Sequence, residues 1–235
     1  TFFYYKNYLD SIYIKKFLLL LSFGVLQAFM GWYMVKSGLA NIPNISHFRL
    51  ATHLLIAFVI IAYTYEIKLS LIFNKESKVY NYKYFNNFIN IILFIFFIQI
   101  MYGAFTAALE AGHFWNTYPF IEGRYIPLDS FQLKPFWLNL FYDEKSIQII
   151  HRNISILLFL AILSFCYQFK KNVQNINFDV IQYFIVTICC QFILGVLTLV
   201  SNSALVLALF HQFFAVILLL IIIKVKHSLR YVDRC

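Results

Sequence analysis

The chain has 235 residues, 62% of them hydrophobic and only 12% charged, with a formal net charge of +9. So little charge cannot cover a water-soluble domain of this size, which excludes a soluble enzyme or binding module. The positive balance does not indicate nucleic acid, because the basic residues sit in short loops between apolar runs, where the positive-inside rule puts them.

Six apolar runs are long enough to cross a hydrocarbon layer of about 30 Å as helices of about 20 residues. Helix A is expected over residues 14–35. A polar, aromatic stretch from Thr1 leads into it, with no initiator Met and no cleavable signal segment, so the chain reads as opening inside a longer protein. Helix B is expected over 48–73, with Ser46 placed to cap it after Pro43. It is the weakest span, because Tyr63, Tyr65 and Glu66 crowd its far end. Helix C follows over 88–109. The 110–146 connection is aromatic and net acidic, holds Trp115, Pro119, Pro127, Pro135 and Trp137, and is expected to fold as a cap over the outer face. Helix D is expected over 147–169, helix E over 178–200 and helix F over 204–225. The fold class is therefore an all-α polytopic transmembrane helical bundle. Thirteen Lys and Arg residues fall in the tails and loops of one side and six on the other, so both termini face the cytoplasm, or the matrix in a mitochondrion.

Helices B, D and F each carry one histidine in their outer part: His53, His151 and His211. Imidazole is a strong iron ligand, and a polar ring in a spanning helix is expensive unless it has a task. Two histidines at matched depth on different helices can hold one porphyrin iron from opposite faces, a closed site that suits electron transfer. For each histidine the alternative is a hydrogen bond to a neighbouring helix. Arg152 adjoins His151 and Arg49 lies one turn from His53; each could pair with a haem propionate or snorkel to the interface. His47, His113 and His227 are expected to be solvated or interfacial. Cys166, Cys189, Cys190 and Cys235 give neither a haem-attachment motif nor zinc spacing.

Helix A holds Gln27 and Gly31, helix E holds Gln191 and Gly195, and each precedes a helix with a histidine. A–B and E–F thus look like copies. Because C and D precede E and F, two helices are expected before A. The parent architecture would be an eight-helix bundle of two duplicated four-helix halves. Residues 1–85 would be what remains of the first half, and 86–235, with the 110–146 loop, the second.

GWYMVKSGL (31–39) followed by HFRLATHL (47–54) resembles the signature of the heme A synthase family, in its mitochondrial and alphaproteobacterial branch. YGAFTAALEAGHFWNTYPFIEGRYIP (102–127), QIIHR (148–152), QFILGVLTLV (191–200) and LALFHQ (207–212) agree in order. The resemblance implies conversion of heme O to heme A, a porphyrin methyl being oxidised to a formyl through successive hydroxylations, for use by respiratory terminal oxidases. It implies a b-type haem, heme b, between His151 and His211, and His53 as one histidine of the site that holds heme O. That site's second histidine and a glutamate belong to a Glu-x-x-His segment that this sequence lacks, so the chain alone is expected to be inactive. The implied setting is the bacterial cytoplasmic membrane or the mitochondrial inner membrane. The implied partners are membrane lipid, heme O synthase, oxidase assembly factors and a second copy of the chain. The competing readings are a b561-like electron-transfer cytochrome, with haems at both faces, and a non-catalytic haem carrier or assembly factor.

Overall fold

The computed structural model describes Lys6 and residues 10–38, 45–72, 82–173 and 178–229. Pro43 and the lysines of the 73–81 connection lie outside them, as do Arg230, Arg234 and Cys235. Among the described residues there is no β-strand, and six helices are long and apolar enough to cross a membrane.

The spanning helices are α1 (Ser11–Gly38), α2 (His47–Ile72), α3 (Lys83–Ala108), α5 (Glu144–Asn172), α6 (Phe178–Val200) and α7 (Leu205–Ser228). The connection after α3 contains the one-turn helix α4 (Ala111–Phe114) and a 3-10 turn, Phe136–Leu140. Helix D is longer than the apolar run predicts. Asp143 caps α5 by accepting from the Ser146 amide at 3.2 Å, so the polar residues Glu144, Lys145 and Ser146 join its first turn. Helix B is unbroken to Ile72, and Ser46 opens it through its main-chain carbonyl, which accepts from Arg49 and Leu50.

Helices α3, α5, α6 and α7 form a closed ring in which each packs on the next, so α5 and α7 stand on opposite corners. Helix α2 packs against α3 and α7, and α1 packs on α2. In lipid this packing rests on dispersion contacts and close backbone approach rather than on water exclusion. One half of the ring is solid. Phe85, Ile89, Ile92, Ile162, Phe165 and Phe184 are buried there with Leu219 and Ile222. Phe165 sits edge-on or stacked to Phe85, Phe88 and Phe169 at centroid distances of 5.4–5.9 Å. The other half is hollow.

The 110–146 connection folds over that hollow end as an ordered cap. Asn139 is fully buried and closes a loop, accepting from the Leu133 amide and donating to the Leu133 and Phe136 carbonyls, each at 2.8 Å. Lys145 is buried too. Its ammonium reaches Asp129 at 2.6 Å and Glu122 at 3.2 Å, and lies over the Trp115 ring. Gln148 and Arg152 of α5 both donate to the Trp115 carbonyl, at 2.9 and 3.0 Å. On the far side, Asn116 bonds Asn202 in the α6–α7 turn, and Gly112 packs on Ser203 so closely that a Cβ would stand 2.6 Å from its hydroxyl.

His227, expected to be solvated or interfacial, is 2% exposed and pairs with Glu66 of α2 at 3.4 Å. A partner 161 residues away in sequence accounts for its burial. His47 also differs from a solvated side chain: its ring packs edge-on to Phe105 and Tyr142 at 5.1 and 5.7 Å.

Candidate functional site: paired histidines around a membrane cavity

The three histidines stand at a common depth. His53 and His211 lie six residues past the first residue of their helices, and His151 lies seven past Glu144. At about 1.5 Å per residue each is about 9–10 Å in. The added first turn of α5 brings His151 to the depth of His211.

His151 and His211 line one cavity of about 430 Å³, within the ring of four helices. Its floor is the packed half of the bundle, where Phe96, Leu158, Ile188 and Leu218 belong to both core and cavity. Its upper wall is the cap, through Gly112, His113 and Tyr118. Burial and the nearby Tyr125 push the Tyr118 phenol above its ordinary range, so it stays a neutral hydroxyl. His53 lies outside this cavity, between α2 and α1.

Each histidine leans on the helix before its own. An ideal Cβ at Gly31, Gly103 or Gly195 would stand 3.1, 3.1 or 2.9 Å from Cε1 of His53, His151 or His211. One turn away on the same helices, the carboxamide nitrogens of Gln27, Gln99 and Gln191 lie 3.2, 3.3 and 3.4 Å from the matching Nε2 atoms. At His211, Nδ1 is 3.2 Å from the Gln191 carbonyl. A carbonyl only accepts, so Nδ1 carries the proton and Nε2 presents a lone pair. The repeat therefore has three members. Gln99 and Gly103 on helix C, missed in the sequence reading, carry the same Q-x-x-x-G spacing, and the spacing itself was the signal.

A porphyrin-bound metal fits these residues. Among the described residues no three His, Cys, Asp or Glu side chains converge to hold a metal ion. Two neutral imidazoles on opposite corners of a bundle suit a metal that brings its own equatorial ligands. The cavity falls within the size range of cofactor pockets and is mainly apolar. Several buried polar atoms also lack a partner there: Oε1 of Gln99 and Gln191, and Nε and Nη1 of Arg152. Arg152 is 8% exposed and lines the cavity, so its unpaired edge suits an anionic group. Arg49 does not enter this cavity. Its guanidinium lies 4.6 Å over the Tyr33 ring, and it lines a second cavity of about 440 Å³ with His47, Glu110 and Glu144.

Residues 1–223 match the model of the COX15-CtaA family, described as cytochrome oxidase assembly protein. A protein named heme A synthase from Wolbachia pipientis wMel is 40% identical over 88% of this chain and 58% of its own length. Proteins of the same name from Flavobacterium johnsoniae and Rickettsia africae are each 35% identical, over 97% and 94% of this chain and 68% and 66% of theirs. The chain thus spans 58% of the length of the Wolbachia relatives it matches. No solved structure matches it.

Proposed function

Since this chain belongs to the COX15-CtaA family of cytochrome oxidase assembly proteins, we propose that it serves heme A synthesis, the oxidation of a heme O methyl to a formyl. The observation that carries the reading is the pair His151 and His211, on opposite corners of one bundle and lining one cavity. Residues 86–235 form the side that holds heme b, and residues 1–85 belong to the side that holds heme O.

On the heme b side, His151 and His211 would hold the iron, and Arg152 would offer its unpaired edge to a propionate. A haem held by two imidazoles would supply one-electron transfer, since it leaves no open position for a substrate. The cap excludes water from above through the bonds of Gln148 and Arg152 to Trp115. On the other side His53 is seated as the other two are, and would hold the substrate iron. Arg49, one turn away, lines the second cavity, where it could meet a propionate. We place the protein in the bacterial cytoplasmic membrane, or the mitochondrial inner membrane, with its termini on the positive side. A b561-like carrier would want histidines at both ends of the bundle; the three seated ones share one end.

Within these 235 residues the His53 side has one such seated histidine among the described residues. Oxidation is therefore expected once the chain is joined to the remaining length its relatives have. In membranes that make heme O but no heme A, mass analysis of extracted haem tests this. The joined protein should yield formyl-bearing haem, and its His53→Ala variant none. Heme O recovered unchanged from the joined protein would overturn the proposal, and a haem carrier would be the better reading.

A further inference from the structure

We infer that the Gln-x-x-x-Gly pair on the first helix of each of the three hairpins (α1, α3 and α6) is a prebuilt seat for the histidine of the following spanning helix. In the cavity, Gly103 and Gly195 are positioning residues for His151 and His211, and the Gln99 and Gln191 carboxamides hold the Nε2 lone pairs until iron takes them. The inference rests on the reading of His151 and His211 as iron ligands.

Three observations carry it. First, the contact repeats atom by atom. In all three hairpins the glycine position faces Cε1 first, then Nδ1 at 3.5–3.7 Å, then Nε2 at 3.7–4.0 Å. A glycine that only eased helix packing would meet whichever side chain came past; Gly24, on the same helix as Gly31, meets nothing within 4 Å. Second, the carboxamide of the glutamine one turn away reaches the same ring atom, Nε2, each time. Third, the amide oxygens of all three glutamines are buried without a partner. Each glutamine thus spends its nitrogen on the imidazole and leaves its oxygen unsatisfied, an arrangement that costs stability in the fold itself.

The chemistry then follows. An imidazole lone pair bare in an apolar bundle is a desolvated acceptor, and the carboxamide N–H satisfies it. At His211 the Gln191 carbonyl fixes the proton on Nδ1, so the nitrogen facing the carboxamide is the one able to bind iron. Glycine lets the ring lie against the helix backbone, which fixes its plane. Ligation of iron through Nε2 would displace one neutral hydrogen bond, a modest loss.

The test uses the 235-residue chain in detergent, titrated with ferric iron protoporphyrin IX and followed by absorption and electron paramagnetic resonance. His211→Ala should abolish the six-coordinate low-spin signal. Gly195→Ala and Gly103→Ala should each weaken haem binding at least tenfold or convert the signal to high spin, while Gly24→Ala leaves both unchanged. Gln191→Leu should keep the low-spin signal and bind haem at least as tightly as the parent, since it removes only the competitor. Gln191→Glu should bind at least tenfold more weakly, because a carboxylate accepts from Nε2–H and favours the tautomer that cannot ligate. Circular dichroism and gel filtration confirm that each variant is folded; if Gly195→Ala is not, Gly103→Ala and the two glutamine variants decide. The seat is overturned if the folded Gly→Ala variants match Gly24→Ala, or if Gln191→Leu loses the signal as fully as His211→Ala. A low-spin signal that survives His211→Ala instead sinks the ligand assignment, and the seat with it.

Discussion

His227 near the end of α7 lies 3.4 Å from the Glu66 carboxylate on α2, and the histidine is 2% exposed. The contact joins the α1–α2 hairpin to the four-helix ring at the end away from the cavity. A buried imidazole tied to a half-buried carboxylate holds the two parts in one register. Glu66→Leu should destabilise the bundle by about 1–3 kcal/mol, because it leaves a buried ring nitrogen without its acceptor. Glu66→Gln keeps an acceptor and should cost less than half as much. Thermal unfolding in detergent measures both, and a leucine variant as stable as the parent would contradict the tie.

Arg152 has two of its guanidinium nitrogens unpaired while its third bonds Trp115 and Gln148. Arg152→Gln should weaken haem binding about tenfold while the low-spin signal persists, since a charge-assisted contact to an anion is lost but both imidazoles remain. Loss of the low-spin signal itself would mean that Arg152 shapes the site rather than holding an anion.

Phe165→Ala separates the solid half from the hollow one. Phe165 is completely buried among aromatic rings below the cavity. The variant should lose about 3–5 kcal/mol of stability, the usual cost of a large-to-small change in a core, with an unchanged haem spectrum. Unfolding and absorption on the same sample check both halves of this expectation.

The cap should respond to acid at a definite point. The Lys145 ammonium, bonded to Asp129, holds that carboxyl below the ordinary carboxylate range. A carboxylate depressed in this way stabilises the fold at pH above its unfolded value near about 4, and the contribution is lost as pH falls through the lower, folded value. Fluorescence of Trp115, which lies under Lys145, should stay flat from about pH 8 to about pH 5 and change only below about pH 4. Asp129→Asn should remove that acid transition.

The spans were legible in the sequence because each is an apolar run of membrane length, and length is what lipid demands. The start of α5 was not. Glu144, Lys145 and Ser146 are polar; the Asp143 cap makes them helical, and acidic partners from a distant part of the loop allow Lys145 to be buried. The burial of His227 was hidden for the same reason, since its environment is set by Glu66 on another helix. Gln27 with Gly31 and Gln191 with Gly195 could be matched from spacing alone. Gln99 with Gly103 has the identical spacing, but dividing the chain into two halves hid a unit that is the single hairpin. The cavity had no signature in the sequence, because it lies above a floor, Phe96, Leu158, Ile188 and Leu218, that four different helices, far apart in sequence, bring together.

That floor makes traffic through the molecule one-sided. Phe85, Phe165 and Phe184 pack ring against ring beneath the cavity, and the cap lies over its upper end. A guest of that cavity would slip in sideways between helices, from the bilayer. The lipid phase would then be its reservoir as well as the solvent of its host.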